Sequence, residues 1–555
     1  MAQDLDNIVV KRPPPRPNKG MTIEVFSSTE SKSIGINQSL VDLPEIVVKA
    51  LTLSVDKPAK VKTAEEWTAI LDAFRTRSDV SLIKKVLRVG LTKGQRLAFN
   101  AFTTMLWSVR NGEPGVHRIH GLQGWAGTGK SFTLRRVILF CDVLGIPWLL
   151  TAPTNKATKV LTSMVPGIKK DMCKTIYSAL KLTMMAEEDQ QVLVDTVQSD
   201  YASLGLLSGQ LICVDESSML NKQVTAKIKE VAEDLKLCII LIGDKYQLRP
   251  VGEEKSYAWD LCVDSSSGDA YLSKLTEVKR FDNALLDLSV VLRMGVRTGK
   301  LPPYAEVFTQ HDGQIEVKRS QGDFDLSLMA LKDPKDFTDR RVLAWRNKTT
   351  DRYNALIRKN LGFNDEFNVG DLLMLAQPKL QKVNYYRSII VANIDEEVVV
   401  QAVVKKTMQP TSVYFQNLPK IEYWQLTTQT LDYQDKPTQL VLNQPLADDH
   451  GLEDTLQQMA AAAKRAGQMM YTDRTNSRKH NEERKQRWRE YWTLREEFTL
   501  VRFAYAMTVH RSQGSSISET LVDARDIKCN SETLEQYQCL LVACTRARTM
   551  LTVLV

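Results

Sequence analysis

The sequence has no paired cysteines to build a disulfide or zinc framework. Its eight cysteines, at 141, 173, 213, 238, 262, 529, 539 and 544, are scattered, and none forms C-x-x-C. This usage fits a reducing cytoplasm, where we expect the protein to reside. Long apolar runs are also lacking. The nearest, "VILFCDVLGIPWLL" (137–150), is interrupted by Asp142, Gly145 and Pro147, so no membrane span is expected. Nothing at the start reads as a secretory signal. Nor is there a large excess of charge of either sign: charged residues are 25% and the net charge is a mild +8, which permits a polyanionic partner without requiring one.

What is present is enough apolar material for several cores. Of 555 residues, 43% are hydrophobic. At roughly 100–200 residues per domain, this suggests about three or four domains. "KRPPPRPNKG" near the start cannot pack a core, so residues 1–20 read as a disordered arm. Residues 21–88 form an extension without a known motif, with a β-like "MTIEVF" and helical spacing over 64–88.

From 89 to 275, short apolar runs alternate with helical segments: "VHRIHGLQG", "PWLLTAP", "LICVDES" and "CIILIGD". Each run ends in small or polar residues, the pattern of a parallel α/β sheet with its chemistry at the carboxyl ends of the strands. A second α/β set is expected over 276–360 and 500–555, from "RRVLAWRN", "TLVRFAYAMTVH", "ETLVDA" and "MLTVLV". Between its two pieces, residues 361–499 alternate like a small antiparallel barrel and then turn into two charge-rich helices. This reads as an inserted accessory domain. Within it, "TDRTNSRKHNEERKQRWREYW" (472–492) interleaves basic and aromatic residues. That composition suits a stacking surface for single strands, but its acids favour a solvated helix with an aromatic core stripe.

The densest chemical signal is "GWAGTGKS". It fits G-x-x-x-x-G-K-[ST], follows an apolar run and opens a helix. Gly124, Gly127 and Gly129 let backbone N–H groups turn in around phosphates, with Thr128 inside the loop. Lys130 is expected on the β- and γ-phosphates and Ser131 on Mg²⁺. "LICVDESS" ends a strand in Asp215, a second Mg²⁺ ligand, and Glu216, which would activate the attacking water. "LIGDKYQLRPV" supplies Gln247 as a γ-phosphate sensor, with Asp244 in support. Trp125, a large aromatic inside the cradle, has no explanation in the motif.

The order of "GWAGTGKS", "TAPTNKATKVL", "VDESSM", "GDKYQLRPV", "LTEVKR", "AYAMTVHRSQGSS" and "LLVACTRAR" resembles superfamily 1 helicases, and most of all their 5′→3′, RecD-like branch, superfamily 1B. The likeness runs through about residues 90–350 and 500–555. It implies an α/β fold of two RecA-like P-loop motor domains with a β-hairpin insertion, an inserted SH3-like barrel plus helices, and ATP hydrolysis with Mg²⁺ in the cleft between the motors. It assigns Arg280 and Arg546 as arginines that reach the γ-phosphate from the second motor, and Gln95 as a reader of the adenine edge. Thr154, Asn155, Lys156, Thr175 and Tyr177 in the first motor, and Thr508 and His510 in the second, fall where the family contacts a DNA strand. The family usually has His where this chain has Tyr177, whose side chain can stack on a base or contact a phosphate. Arg249 also replaces a more usual Pro. Gln513 and Gly514 lie nearer the nucleotide. The strand-separating hairpin would fall at 183–205.

The resemblance therefore implies an ATP-dependent DNA helicase moving 5′→3′ on single-stranded DNA and opening duplex junctions, in replication, recombination or repair. The opposite polarity is disfavoured by the compact first motor. The other class left open is a DNA-stimulated ATPase that acts as a clamp or loader. A monomer is expected, with the N-terminal extension able to recruit a replication or single-strand-binding protein. A viral member would work in a host bacterial cytoplasm.

Overall fold

The computed structural model describes residues 80–555 except 89, 126, 163–164, 166–167, 169, 188–189, 196–203, 251, 264–270, 278–283, 312, 385–386, 393 and 432–437. The N-terminal arm, "MTIEVF", residues 64–79 and Arg280 lie outside the described residues. Among the described residues, no helix is long and apolar enough to cross a membrane.

Ahead of the first sheet come two helices, Val80–Leu87 and Lys93–Arg110. The second opens on a reciprocal capping box: the Thr92 hydroxyl accepts the Gln95 N–H, and the Gln95 side chain accepts the Thr92 N–H. The strands that follow are β1 (Ile119–Gly124), β2 (Trp148–Ala152) and β3 (Cys173–Thr175). An antiparallel hairpin, β4 (Leu182–Glu187) and β5 (Gln190–Asp195), precedes β6 (Leu211–Val214), β7 (Cys238–Gly243) and β8 (Leu272–Leu275). The sheet order is β3-β2-β6-β7-β1-β8, all parallel. β1, β2, β6 and β7 are buried along their whole length. That is why β2, β6 and β7 read as apolar runs rather than alternating ones, while β1 buries His120 and Gln123 among its apolar residues. The helix Lys130–Leu144, leaving β1, ends at Gly145 (φ 65°), with the Ile146 N–H bonded back to Cys141 O.

The second motor is a five-stranded parallel sheet. Its strands are β9 (Ile315–Lys318), β10 (Arg340–Ala344), β18 (Ala506–Thr508), β19 (Ile517–Asp523) and β20 (Ala547–Leu554), in the order β18-β10-β19-β20-β9. The helices Ala284–Thr298 and Thr533–Arg546 pack in its core.

Between β10 and β18 lies the accessory region. It contains β11 (Leu372–Leu375), the hairpin β12 (Lys379–Asn384) and β13 (Arg387–Ala392), then β14 (Glu397–Met408), β15 (Ile421–Thr430), β16 (Gln439–Pro445) and β17 (Val501–Phe503). Its main sheet is antiparallel, in the order β16-β15-β14-β11-β17. The run "TLVRFAYAMTVH", expected to be one motor strand, is therefore divided. β17 pairs antiparallel with β11, and β18 pairs parallel with β10. The helices Gly451–Thr472 and Ser477–Glu497 enclose a second small core, where Trp488, Tyr491 and Trp492 pack with Tyr423, Met459 and Phe498. The aromatic residues of the basic stretch are thus core.

Candidate nucleotide site and strand path

The phosphate loop follows β1 at the carboxyl edge of the first motor sheet. Gly127 and Gly129 adopt left-handed φ values of 82° and 84°. These residues make the concave turn of N–H groups that receives phosphate. Space is as restrictive as φ: a Cβ on Gly129 would stand 2.3 Å from Gln95 Nε2, and one on Gly124 would stand 2.5 Å from Thr128 Oγ1. Lys130 Nζ folds back onto Gly124 O (2.7 Å) and Trp125 O (3.2 Å). Burial lowers its pKa, against the pull of Glu216 and Asp215. Ser131 is exposed at the first turn of the helix, open to a ligand.

Asp215 and Glu216 follow β6. Burial, with the Glu216 charge beside it, pushes Asp215 up to about 6 against the pull of Lys130. Its Oδ1 accepts the Glu216 N–H at 2.9 Å. Glu216 has φ 50°, a left-handed conformation that a non-glycine residue adopts at some strain, of the kind found at functional sites. Gln247 is buried, and its Oε1 has no hydrogen-bond partner. Across the cleft, Arg546 ends the helix Thr533–Arg546 and donates to Ser515 O (2.9 Å) and Val542 O (3.2 Å). Burial lowers its pKa, while the charge of Glu216 raises it. Gln513, on the same side, has a buried Nε2 without a partner. An ammonium, two carboxylates and a guanidinium thus converge on one cleft, and Gln247 and Gln513 each keep a buried amide atom without a partner. This donor and acceptor set fits a nucleotide triphosphate with a divalent cation.

Gln95 is more engaged than a free base-reading amide. Its Oε1 completes the capping box, and its Nε2 donates to Thr128 O at 2.9 Å, bracing the phosphate loop. An adenine contact would have to exchange one of these bonds.

The residues assigned to the strand lie at the carboxyl ends of β2, β3 and β18 and in the first turns of the helices that follow them. The Thr154 hydroxyl accepts the Ala157 N–H at 3.2 Å, beside Asn155, and the Thr175 hydroxyl accepts the Ser178 N–H at 3.2 Å. Tyr177 is half-buried against the first motor's core, and burial raises its phenol pKa. Thr508 starts the short helix Val509–Ser512 without using its hydroxyl as a cap. Burial lowers the pKa of His510, against the charge of Glu535 3.2 Å away. Gly514 (φ 77°) lies where a Cβ would stand 3.4 Å from Ala157 Cβ and 3.6 Å from Thr154 Oγ1, so the two motors' strand loops touch.

Five ion pairs were not legible in the sequence. Lys156 and Lys159 are ion-paired with Glu397 (2.9 Å) and Glu396 (2.6 Å) of the accessory region, and Glu397 also binds Arg341 of the second motor. Arg249 pairs across the motors with Glu532. Arg293, in the helix Ala284–Thr298, grips Asp244. Its signal was faint: a cation on the stripe of Leu285, Leu288, Leu292 and Val296, where helical spacing predicts apolar side chains.

Fold and site together define a two-motor P-loop nucleotide hydrolase whose cleft is completed from both sides. Comparison with known proteins narrows the class. A family model described as an AAA domain matches residues 92–317, and one described as a UvrD-like helicase C-terminal domain matches 503–554. The chain is 26% identical over 470 residues to the ATP-dependent DNA helicase dda of Enterobacteria phage T4, covering 82% of this chain and 98% of that protein. It is 24% identical to an uncharacterized protein of Acanthamoeba polyphaga mimivirus, covering 78% and 94%. Among solved structures, the Pif1 helicase from Candida albicans aligns with a TM-score of 0.43 at 16% identity, covering 84% of this chain and 94% of that one. In its ordered motifs, its family-model matches and its sequence relative, the chain is similar to superfamily 1B, the RecD-like branch of helicases.

Proposed function

We propose that this chain is an ATP-dependent DNA helicase that moves 5′→3′ on single-stranded DNA and opens duplex junctions. The observation that carries the reading is the meeting of Lys130, Asp215 and Glu216 from one motor with Arg546 from the other, close enough for the Glu216 charge to act on the pKa of the other three. In this reading Lys130 and the glycine-rich loop hold the β- and γ-phosphates. Glu216 takes the proton of the attacking water, and Gln247 orients that water. Arg546, joined by Arg280, neutralises charge that develops on the γ-phosphate. Mg²⁺, held by Ser131 and Asp215, would supply further neutralisation of the phosphates.

Because the cleft is shared, nucleotide binding favours its closed state and product release its open one. Thr154, Asn155, Lys156, Thr175 and Tyr177 on one side, and Thr508 and His510 on the other, would hold the strand, mostly by its phosphates. Alternating grip then becomes movement, and the β4–β5 hairpin is a candidate wedge. The domain limits given above, a role in replication, recombination or repair, and recruitment of a partner through residues 21–88 belong to the same proposal.

Glu216→Gln tests the chemistry. The variant is expected to bind a fluorescent ATP analogue within about threefold of wild type while turnover falls at least about a hundredfold. Loss of binding with loss of turnover would remove Glu216 from the water-activating role.

A further inference from the structure

Arg293 connects three parts of the molecule through one side chain. It belongs to the second motor, on the buried face of the helix Ala284–Thr298, and is only 6% exposed. Its guanidinium donates to both oxygens of Asp244 in the first motor, with Nη1 to Oδ1 at 2.9 Å. The same group lies 4.9 Å from the ring centre of Trp125, in the phosphate loop, and 5.1 Å from that of Tyr246. These are cation–π distances, and the planar fork of arginine suits both the carboxylate and the rings.

Asp244 is in turn the hub of the loop that carries Gln247. Its carboxylate accepts the Tyr246 N–H (3.1 Å), and its carbonyl accepts the Ser218 hydroxyl (2.8 Å) and the Gln247 N–H (3.1 Å). One residue beyond Gln247, Leu248 is buried in the core of the second motor. The loop is therefore built from the first motor and seated in the second.

A buried ion pair is a poor way to gain stability compared with apolar packing, and it earns its place by fixing geometry. Burial lowers the Arg293 pKa to about 9, which leaves it charged at neutral pH. We propose that Arg293 is a positioning residue for ATP turnover: it holds Gln247 and the Trp125 end of the phosphate loop in register with the second motor, so that hydrolysis follows motor closure on a DNA strand. This rests on the helicase reading above. It also accounts for the aromatic residue in the cradle, which is the platform on which the guanidinium lies.

The test is steady-state ATP hydrolysis by the full chain with and without oligo(dT), for wild type, Arg293→Lys, Asp244→Asn and the double variant. Lysine keeps the charge and loses the fork. For Arg293→Lys, kcat with oligo(dT) is expected to fall at least about tenfold, with KM for ATP within about threefold, and the ratio of rates with and without DNA to fall in parallel. Asp244→Asn is expected to behave alike, and the double variant to be no worse than the poorer single variant. A structural defect alone would lower the melting midpoint without this division between kcat and KM. Trp125→Leu, at a half-buried position, tests the same joint without breaking the buried pair, and DNA stimulation should fall at least about threefold. Full stimulation in Arg293→Lys or Trp125→Leu, a loss confined to KM, or multiplicative effects in the double variant would overturn the inference alone. A wild-type chain without DNA-stimulated hydrolysis would overturn the helicase reading and the inference with it.

Discussion

Replacing Glu397 with Gln removes the charge that joins all three parts of the molecule. Glu397 lies in β14 of the accessory region, binds Arg341 of β10, and pairs at 2.9 Å with Lys156 of the first motor. Burial alone would raise its pKa, but Arg341 and Lys156 outweigh that and hold it down at about 2, from an ordinary 4.5. At about 1.4 kcal/mol per pH unit, this displacement is worth about 3 kcal/mol of folding stability at neutral pH. The partners respond differently to its loss. The Lys156 side chain is 30% exposed and can turn to water; that of Arg341 is 3% exposed and cannot. Arg341 Nε already lacks a partner, so the variant would leave a buried guanidinium poorly satisfied.

The sign with pH follows from the depressed pKa. The contribution is complete above about pH 4.5 and is lost as pH falls towards 2. Several domains need not unfold together, so the observable is the first urea transition, followed by tryptophan fluorescence. Its midpoint is expected to be lower in Glu397→Gln at pH 7, with the gap closing between about pH 4.5 and 2. Equal midpoints at pH 7, or a gap unchanged at pH 2, would refute the reasoning.

The same geometry sets two further expectations. Gly129→Ala places a Cβ 2.3 Å from Gln95 Nε2 at φ 84°. Fluorescent-nucleotide titration should show affinity at least about tenfold weaker, and unchanged affinity would mean the loop does not use this conformation. Lys156→Ala removes one cation from the strand path, so the salt dependence of oligo(dT) binding should become shallower by about 0.7 in log–log slope. An unchanged slope would mean that Lys156 stays with Glu397 when DNA binds.

How much of this was legible in the sequence depended on whether a residue's role is local. The loop from Gly124 to Ser131 announces itself because backbone conformation, strand and helix all act within a few positions. Asp215 and Glu216 were legible as the end of a buried parallel strand. Pairing partners were harder. "TLVRFAYAMTVH" reads as continuous β structure, and nothing within it says that β17 turns to β11 while β18 joins β10. β9 was overlooked because "IEVK" is short and alternates with charge. The aromatic residues at 488, 491 and 492 allowed two readings by composition, and packing against the neighbouring helix decides for core. Arg293, Glu397 and the Arg249–Glu532 pair escaped because each acts on a residue far away in the chain. Trp125 was puzzling for the same reason, since its partner lies in the other motor.

The most direct test of the account is strand displacement on duplexes with a 5′ or a 3′ single-stranded tail, with and without ATP. ATP-dependent unwinding of the 5′-tailed duplex is expected, with little of the 3′-tailed one. Preference for the 3′ tail would contradict the polarity, and DNA-stimulated ATP hydrolysis without displacement of either duplex would make the molecule a clamp or loader instead of a helicase.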